Sequence, residues 1–166
     1  EDNYAEVHTC PEIDKYYLPH PKIKHSNTAG KYFVLGKQGN KFVIKFEATG
    51  SYKVVNTLCK STKDNYLPNT ESVGYLGDNY DWDNPTHKNL YRKWQDMLSR
   101  CYNPRDNHSS YGKIHVCKRW LNFSNFLKDA YSLWGFQEYV DSGYTHQLDK
   151  DYLGSDYYSP DTCVFL

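Results

Sequence analysis

Seven cations fall within one short reach of this chain: Arg92, Lys93, Arg100, Arg105, Lys113, Lys118 and Arg119. Guanidinium and ammonium groups grouped in this way suit contacts to a phosphate backbone, where each one donates to phosphate oxygens and displaces counterions. The wider charge distribution points the same way. Residues 87–128 hold nine Lys/Arg against Asp96 and Asp106, whereas residues 129–166 hold Lys150 against Asp129, Glu138, Asp141, Asp149, Asp151, Asp156 and Asp161. Two arrangements fit that asymmetry: a phosphate-binding face beside an acidic, metal-binding cluster, or two blocks that neutralise each other within one domain. Arg100 and Arg119 are the cations with an obvious alternative use, as ion-pair partners of the acidic tail. For Lys88, Arg92 and Lys93 the alternative is a solvated helix face. The formal net charge of zero, 20 basic against 20 acidic residues, argues weakly against a nucleic-acid partner when taken alone.

Other chemistries find no support. No G-x-x-x-x-G-K-[ST], G-x-G-x-x-G or G-x-S-x-G pattern occurs, so nucleotide hydrolysis, dinucleotide redox chemistry and serine hydrolysis lack their phosphate cradles or nucleophile turn. The five cysteines, Cys10, Cys59, Cys101, Cys117 and Cys163, form no C-x-x-C pair, which disfavours a zinc ribbon. Neither a secretory leader nor a long apolar run is present, and a reduced cytoplasmic setting without membrane contact is expected. The chain begins at Glu1 without a methionine, so the start of the gene product is expected to be missing. Aromatic residues make up 17% of the chain, including 17 tyrosines and 4 tryptophans, and supply a core despite a mean hydropathy of −0.86. A tyrosine ring tolerates a wet boundary and also stacks on bases; boundary packing accounts for most of them.

The elements that must position these groups are legible in part. Residues 1–30 read as an extended arm, since Pro19 and Pro21 in Tyr16-Tyr17-Leu18-Pro19-His20-Pro21 discourage helix; His20 and His25 are solvated there. Residues 31–60 read as a small β module of barrel-like type. It has three strands: Tyr32–Leu35, Lys41–Glu47 with Phe42, Ile44 and Phe46 on one face, and Tyr52–Val55. Residues 61–86, rich in Asn, Asp, Gly, Ser, Thr and Pro, read as a linker with aromatic contacts through Tyr75, Tyr80 and Trp82. Leu90, Trp94, Met97, Leu98 and Cys101 then form one stripe of a 3.6-residue period, so a helix is expected from Pro85-Thr86, with Thr86 capping it, to Asn103-Pro104. Ile114–Val116 is a short strand candidate. A second helix begins near Asn122 or Ser124, presents Phe123, Phe126, Leu127, Ala130, Tyr131 and Trp134, and stops at a left-handed Gly135. Gln147-Leu148 and Cys163–Leu166 close the chain as a β-hairpin around Gly154-Ser155-Asp156.

The order of segments across residues 87–166 adds a resemblance. Trp94-Gln95-Asp96-Met97-Leu98-Ser99-Arg100-Cys101-Tyr102-Asn103 is followed by Val116-Cys117-Lys118-Arg119-Trp120, then by Leu148-Asp149-Lys150-Asp151 and Tyr158-Ser159-Pro160-Asp161-Thr162-Cys163. This is similar to phage-encoded proteins of the HNH homing-endonuclease type. A looser echo of the amino-terminal module of some of these proteins lies in Lys45–Gly50 and Ser72–Gly77.

What the resemblance implies is an α+β fold related to the ββα-metal scaffold, in which two antiparallel strands and a helix grip one divalent cation. Hard oxygen ligands suit Mg²⁺, and such a cation stabilises charge on the scissile phosphate. Asp149 stands at the family's metal-ligand position, and Asp161 is the second candidate metal ligand in the terminal segments. Lys150 stands where the family carries its histidine base, and a protonated lysine is a poor base near neutral pH. His146 takes that catalytic role only if the strand register slips, because residues three apart face opposite sides of a regular strand. Thr162 falls at the family's middle asparagine, and the helix supplying the last ligand would follow Leu166.

The function expected from the residues and the resemblance together is nucleic-acid binding, DNA before RNA, in the cytoplasm of an infected bacterial cell. Arg92, Lys93, Arg100, Arg105, Lys113, Lys118 and Arg119 form the binding face, and Mg²⁺ enters only if the protein cleaves. The alternative is a catalytically inactive binder of nucleic acid, or of a host or phage protein.

Overall fold

The computed structural model describes residues 22–23, 30–59, 61–103 and 114–166. The arm's remaining residues, with His20, His25 and Cys10, and the segment holding Arg105 and Lys113 lie outside the described residues. The chain divides into two units, one ending at Leu67 and the other running Pro68–Leu166. The stretch read as a linker, 61–86, is therefore shared between them.

The first unit is an open antiparallel meander of four strands rather than three: β1 (Lys22–Ile23), β2 (Tyr32–Gln38), β3 (Lys41–Phe46) and β4 (Tyr52–Val55), in that order. The extra strand comes from the arm, whose backbone at Lys22 and Ile23 pairs with Phe33 and Tyr32. A linear order leaves β1 and β4 as edges, so the sheet is not barrel-like. Tyr32, Val34, Ile44 and Phe46 form the buried cluster of one face, as the alternation requires. Val43, expected outside, is also fully buried. A register shift between Val34 and Gly36 interrupts the ladder beside it, so simple alternation fails at this point. Asp64 closes the unit from below: its carboxylate accepts from Thr49 Oγ1 at 2.7 Å, from Ser51 Oγ at 3.0 Å and from the Tyr66 amide at 3.0 Å.

The second unit is built on α1 (Pro85–Tyr102), whose buried residues are Leu90, Trp94, Met97, Leu98 and Cys101, the stripe expected from the sequence. Its cap is Asn84, not Thr86: Asn84 Oδ1 accepts from the amides of Thr86 at 2.9 Å and His87 at 3.4 Å. The Thr86 hydroxyl instead bonds the Tyr144 hydroxyl at 2.8 Å. Proline at the first helical position leaves the residue before it as the natural cap.

After α1 come β5 (His115–Val116), a 3₁₀ turn at Lys118–Leu121, α2 (Phe123–Ala130) and α3 (Phe136–Asp141). Gly135, at φ 83°, is left-handed as expected, but it turns the chain into α3 instead of ending α2 directly. A Cβ there would lie 2.1 Å from the Phe165 carbonyl oxygen, so no other residue fits without displacing backbone.

The chain ends in β6 (Leu148–Asp149), a 3₁₀ turn at Asp151–Leu153, β7 (Tyr157–Tyr158) and β8 (Val164–Phe165). β6 and β8 pair antiparallel, and Gln147 and Leu166 extend the ladder with reciprocal backbone bonds. The connection between them is no simple hairpin turn, because β7 leaves to pair in parallel with β5.

Residues 68–84, read as linker, are structural. The Tyr75 amide donates to the Leu121 carbonyl at 2.8 Å, and the amides of Phe123 and Ser124 donate back to the carbonyls of Tyr75 and Leu76 at 2.8 and 3.1 Å. Trp94 and Trp120 lie at the centre, both fully buried, the indole N–H of Trp94 donating to the Trp120 carbonyl at 2.6 Å. The observed architecture is thus mixed α+β: an amino-terminal antiparallel sheet followed by a carboxyl-terminal unit of helices and short strands.

Candidate nucleic-acid interface

The helix α1 carries cations on both flanks of its apolar stripe. Lys93 and Arg100 are seven residues apart, two turns and about 10 Å along the axis, so they share one flank. Lys88 and Arg92, four apart, share another. Each flank opens onto a cleft.

The cleft on the first flank, about 200 Å³, is lined by Arg100, Gln147, Leu148, Asp149, Lys150, Asp151 and Tyr158. It brings together three residues singled out in the sequence, Arg100, Asp149 and Lys150, from α1 and from the strand β6 and its exit. Lys93 bonds one of the lining residues, its ammonium donating to Gln147 Oε1 at 2.9 Å. Burial, opposed by the nearby Asp96 charge, lowers the Lys93 pKa from its ordinary value.

Lys150 is itself buried. Its ammonium pairs with the exposed Asp151 carboxylate and lies 5.9 Å from the centre of the Tyr158 ring. Burial raises the Tyr158 pKa, while a hydrogen bond from Arg100 and the charges of Arg100 and Lys150 pull against it. The thiols of Cys101 and Cys163 are likewise pushed up to about 11 by burial. The charges of Lys150 and Arg100 oppose that rise at Cys101. Arg100 and Lys150 thus line a small polar cleft together with the carboxylates of Asp149 and Asp151 and the Tyr158 ring.

The fit to a divalent cation is poor. Asp149 Oδ1 already accepts from the Tyr152 amide at 2.7 Å, capping the 3₁₀ turn, and the cleft around it holds Arg100 and Lys150. Asp161 does not line this cleft; its residue belongs to the turn before β8, where its amide donates to Ser159 Oγ. Among the described residues no group of three or more His, Cys, Asp or Glu side chains converges as a metal site would require. Thr162, at the position of the family's asparagine, spends its hydroxyl on the Ser159 amide at 2.9 Å and the Tyr157 carbonyl at 2.8 Å.

Neither residue expected as the base is placed for that role. His146 is outside the cleft's lining, with Nδ1 2.9 Å from the Ser142 hydroxyl. An ammonium already donating to Asp151 offers no lone pair to a water, which describes Lys150.

The remaining cations separate. Arg119 is engaged within the fold: Nε donates to Asp129 Oδ2 at 2.7 Å and Nη2 to Asp129 Oδ1 at 3.0 Å. Lys118 is exposed on the 3₁₀ turn beside it. Arg92, Lys93 and Arg100 have no carboxylate within ion-pair distance among the described residues. Sequence reasoning missed Gln147 and Tyr158, which lie 47 or more positions from Arg100 and carry no local signal.

The second flank's cleft, about 310 Å³, is lined by Trp82, Lys88, Tyr91, Arg92 and Gln95. No helix among the described residues is long and apolar enough to cross a membrane. A scan against protein-family models and searches of curated proteins and of solved structures returned no match.

Proposed function

We propose that the unit Pro68–Leu166 binds nucleic acid through its phosphates, with α1 as the contact element. One observation carries this reading: α1 presents cations on two flanks, each at the mouth of a cleft, and none of Lys88, Arg92, Lys93 or Arg100 is neutralised by an ion pair among the described residues. Backbone contacts of that type give affinity that depends on salt and little sequence preference.

The reading is of a binder rather than a nuclease. Asp149 and Asp161 do not share a cleft, the cations Arg100 and Lys150 line the one that holds Asp149, and no three candidate ligands converge among the described residues. The proposal therefore includes no phosphodiester cleavage of the HNH type.

The test is retention of labelled DNA and RNA by the full chain over a salt series, with a plasmid-nicking assay in Mg²⁺ run alongside. Binding that weakens about linearly in log affinity against log salt, without nicked product, is the expected result. Nicking by the wild type that is lost in Asp149→Ala would establish an endonuclease instead. Absence of any retention at low salt would end the binding proposal.

A further inference from the structure

The cleft on the Lys88/Arg92 flank differs from the first in having an aromatic wall. Trp82 is 38% exposed although it is large and apolar, and its indole lines the cleft together with Tyr91. The ring is held from behind. It lies parallel to Phe123, with centroids 5.9 Å apart and planes 18° apart, 4.6 Å from Tyr80 and 5.0 Å, edge-on, from Tyr91. Phe123 is itself 6.4 Å from Tyr80 and 5.2 Å from Tyr91, so these rings gather round Phe123, and the indole lines the cleft while remaining partly exposed.

The loop that carries Trp82 is also fixed. The Asp81 amide donates to His87 Nδ1 at 2.9 Å, the Asp83 amide to Asp81 Oδ1 at 2.9 Å, and the Asn84 amide to the Asp81 carbonyl at 3.1 Å. Of the acidic residues flanking the indole, Asp81 is thereby committed to its own turn, and neither Asp81 nor Asp83 lines the cleft. What lines it is the supported, partly exposed Trp82, with Tyr91, Lys88, Arg92 and Gln95, whose amide is anchored to the Tyr91 hydroxyl at 3.0 Å.

We infer that this cleft takes one unstacked nucleobase on Trp82, with the adjoining phosphate held by Lys88 and Arg92. The inference rests on the reading of α1 as a nucleic-acid contact and narrows it to single-stranded DNA or RNA. A volume of about 310 Å³ is at the small end of ligand sites, the scale of one nucleotide rather than a helix. Duplex bases, stacked on their neighbours, present no free face to an indole; a single strand does, and with little regard to sequence.

The experiment uses the full chain with fluorescein-labelled oligothymidylate, the corresponding RNA, a duplex of equal length, and heparin as a polyanion without bases. Trp82→Ala is expected to weaken single-strand binding by about 5- to 100-fold and leave duplex and heparin binding unchanged. Trp82→Phe, which keeps a ring, retains most of the affinity. Arg92→Glu, at an exposed position that removes no packing, is also expected to weaken single-strand binding while its thermal unfolding matches the wild type. In a Trp134→Phe background, Trp82 is the remaining exposed tryptophan, since Trp94 and Trp120 are buried, so its fluorescence is expected to be quenched by the oligonucleotide. Equal loss of single-strand, duplex and heparin binding in Trp82→Ala, or no loss in any, overturns the base site while leaving phosphate binding by α1 intact. A wild type that holds neither single strand nor duplex overturns both proposals.

Discussion

Arg119 clasps Asp129 with two hydrogen bonds, of 2.7 and 3.0 Å, and the indole N–H of the buried Trp120 donates to the same carboxylate at 2.9 Å. One acid therefore serves the cationic block and the core together. Of the charge expected to face a phosphate backbone, the Arg119 share is turned inward by a residue of the acidic tail.

The two ends of that clasp are not equivalent, and their variants separate them. Arg119→Ala loses a pair whose arginine side chain is 41% exposed, worth about 1 kcal/mol after solvent screening. Asp129→Ala also leaves the indole donor of the fully buried Trp120 without its carboxylate, adding about 1–3 kcal/mol. Differential scanning calorimetry is expected to place Asp129→Ala several degrees below Arg119→Ala, at roughly 2–4 °C per kcal/mol. Equal melting temperatures would mean the indole bond contributes nothing. Neither variant is expected to change the salt slope of nucleic-acid binding.

Lys93 and Arg100 behave in the opposite way. Replacing either by methionine leaves the apolar stripe of α1 untouched and removes one polar contact, to Gln147 or to Tyr158, so unfolding is expected to shift by about 1 kcal/mol. The slope of log affinity against log salt is expected to fall by about 0.7–0.9 for each lost phosphate contact. An unchanged slope in both variants would remove this flank of the helix from the interface.

The thiols give a pH prediction. Cys101 and Cys163 have pKa values raised by burial from 9.0 to about 11. Between those two values the unfolded chain has released protons that the folded chain still holds. Stability is thus expected to be unaffected by these groups below about pH 9 and to fall as pH rises toward 11. Urea titrations at pH 8, 9, 10 and 11 check the sign. Cys59 is the contrast: it is exposed, with its thiol pKa lowered by the Ser61 hydroxyl 2.9 Å away. A thiol reagent near neutral pH is expected to lose a fast phase in Cys59→Ser and to reach Cys101 and Cys163 only on unfolding.

Tyr139 offers a stabilising substitution. Its ring stacks on Phe165 at 4.4 Å with planes 10° apart, yet its buried hydroxyl has no hydrogen-bond partner among the described residues. Burial accordingly raises its pKa. Tyr139→Phe keeps the stack and removes the stranded group, so a gain of about 1 kcal/mol in urea unfolding is expected. A loss would show that the hydroxyl is satisfied.

The elements that could be read in advance were those whose signal is local. The stripe of Leu90, Trp94, Met97, Leu98 and Cys101 repeats at the helical period, and all five are buried. Gly135 is left-handed where a glycine was expected to be. The pairing of β7 with β5 gave no such signal, because a two-residue parallel contact between His115-Val116 and Tyr157-Tyr158 is set by the packing that brings them together. The same holds for residues 68–84, whose polar composition suggested a linker although their backbone bonds to Leu121, Phe123 and Ser124.

For the candidate site the division is similar. The amino-acid order by itself determined that Lys88, Arg92, Lys93 and Arg100 ride on one amphipathic helix and which side of it faces the core, since both follow from residue type and a fixed 3.6-residue period. Only the tertiary structure decided which cations remain available. It spent Arg119 on Asp129, placed Arg100 beside Lys150 and Asp149, kept Asp161 out of that cleft, and set Trp82 next to Arg92. Those outcomes depend on distances between residues far apart in the chain, and an ion pair or a cleft exists only once the fold has brought its members within a few ångströms.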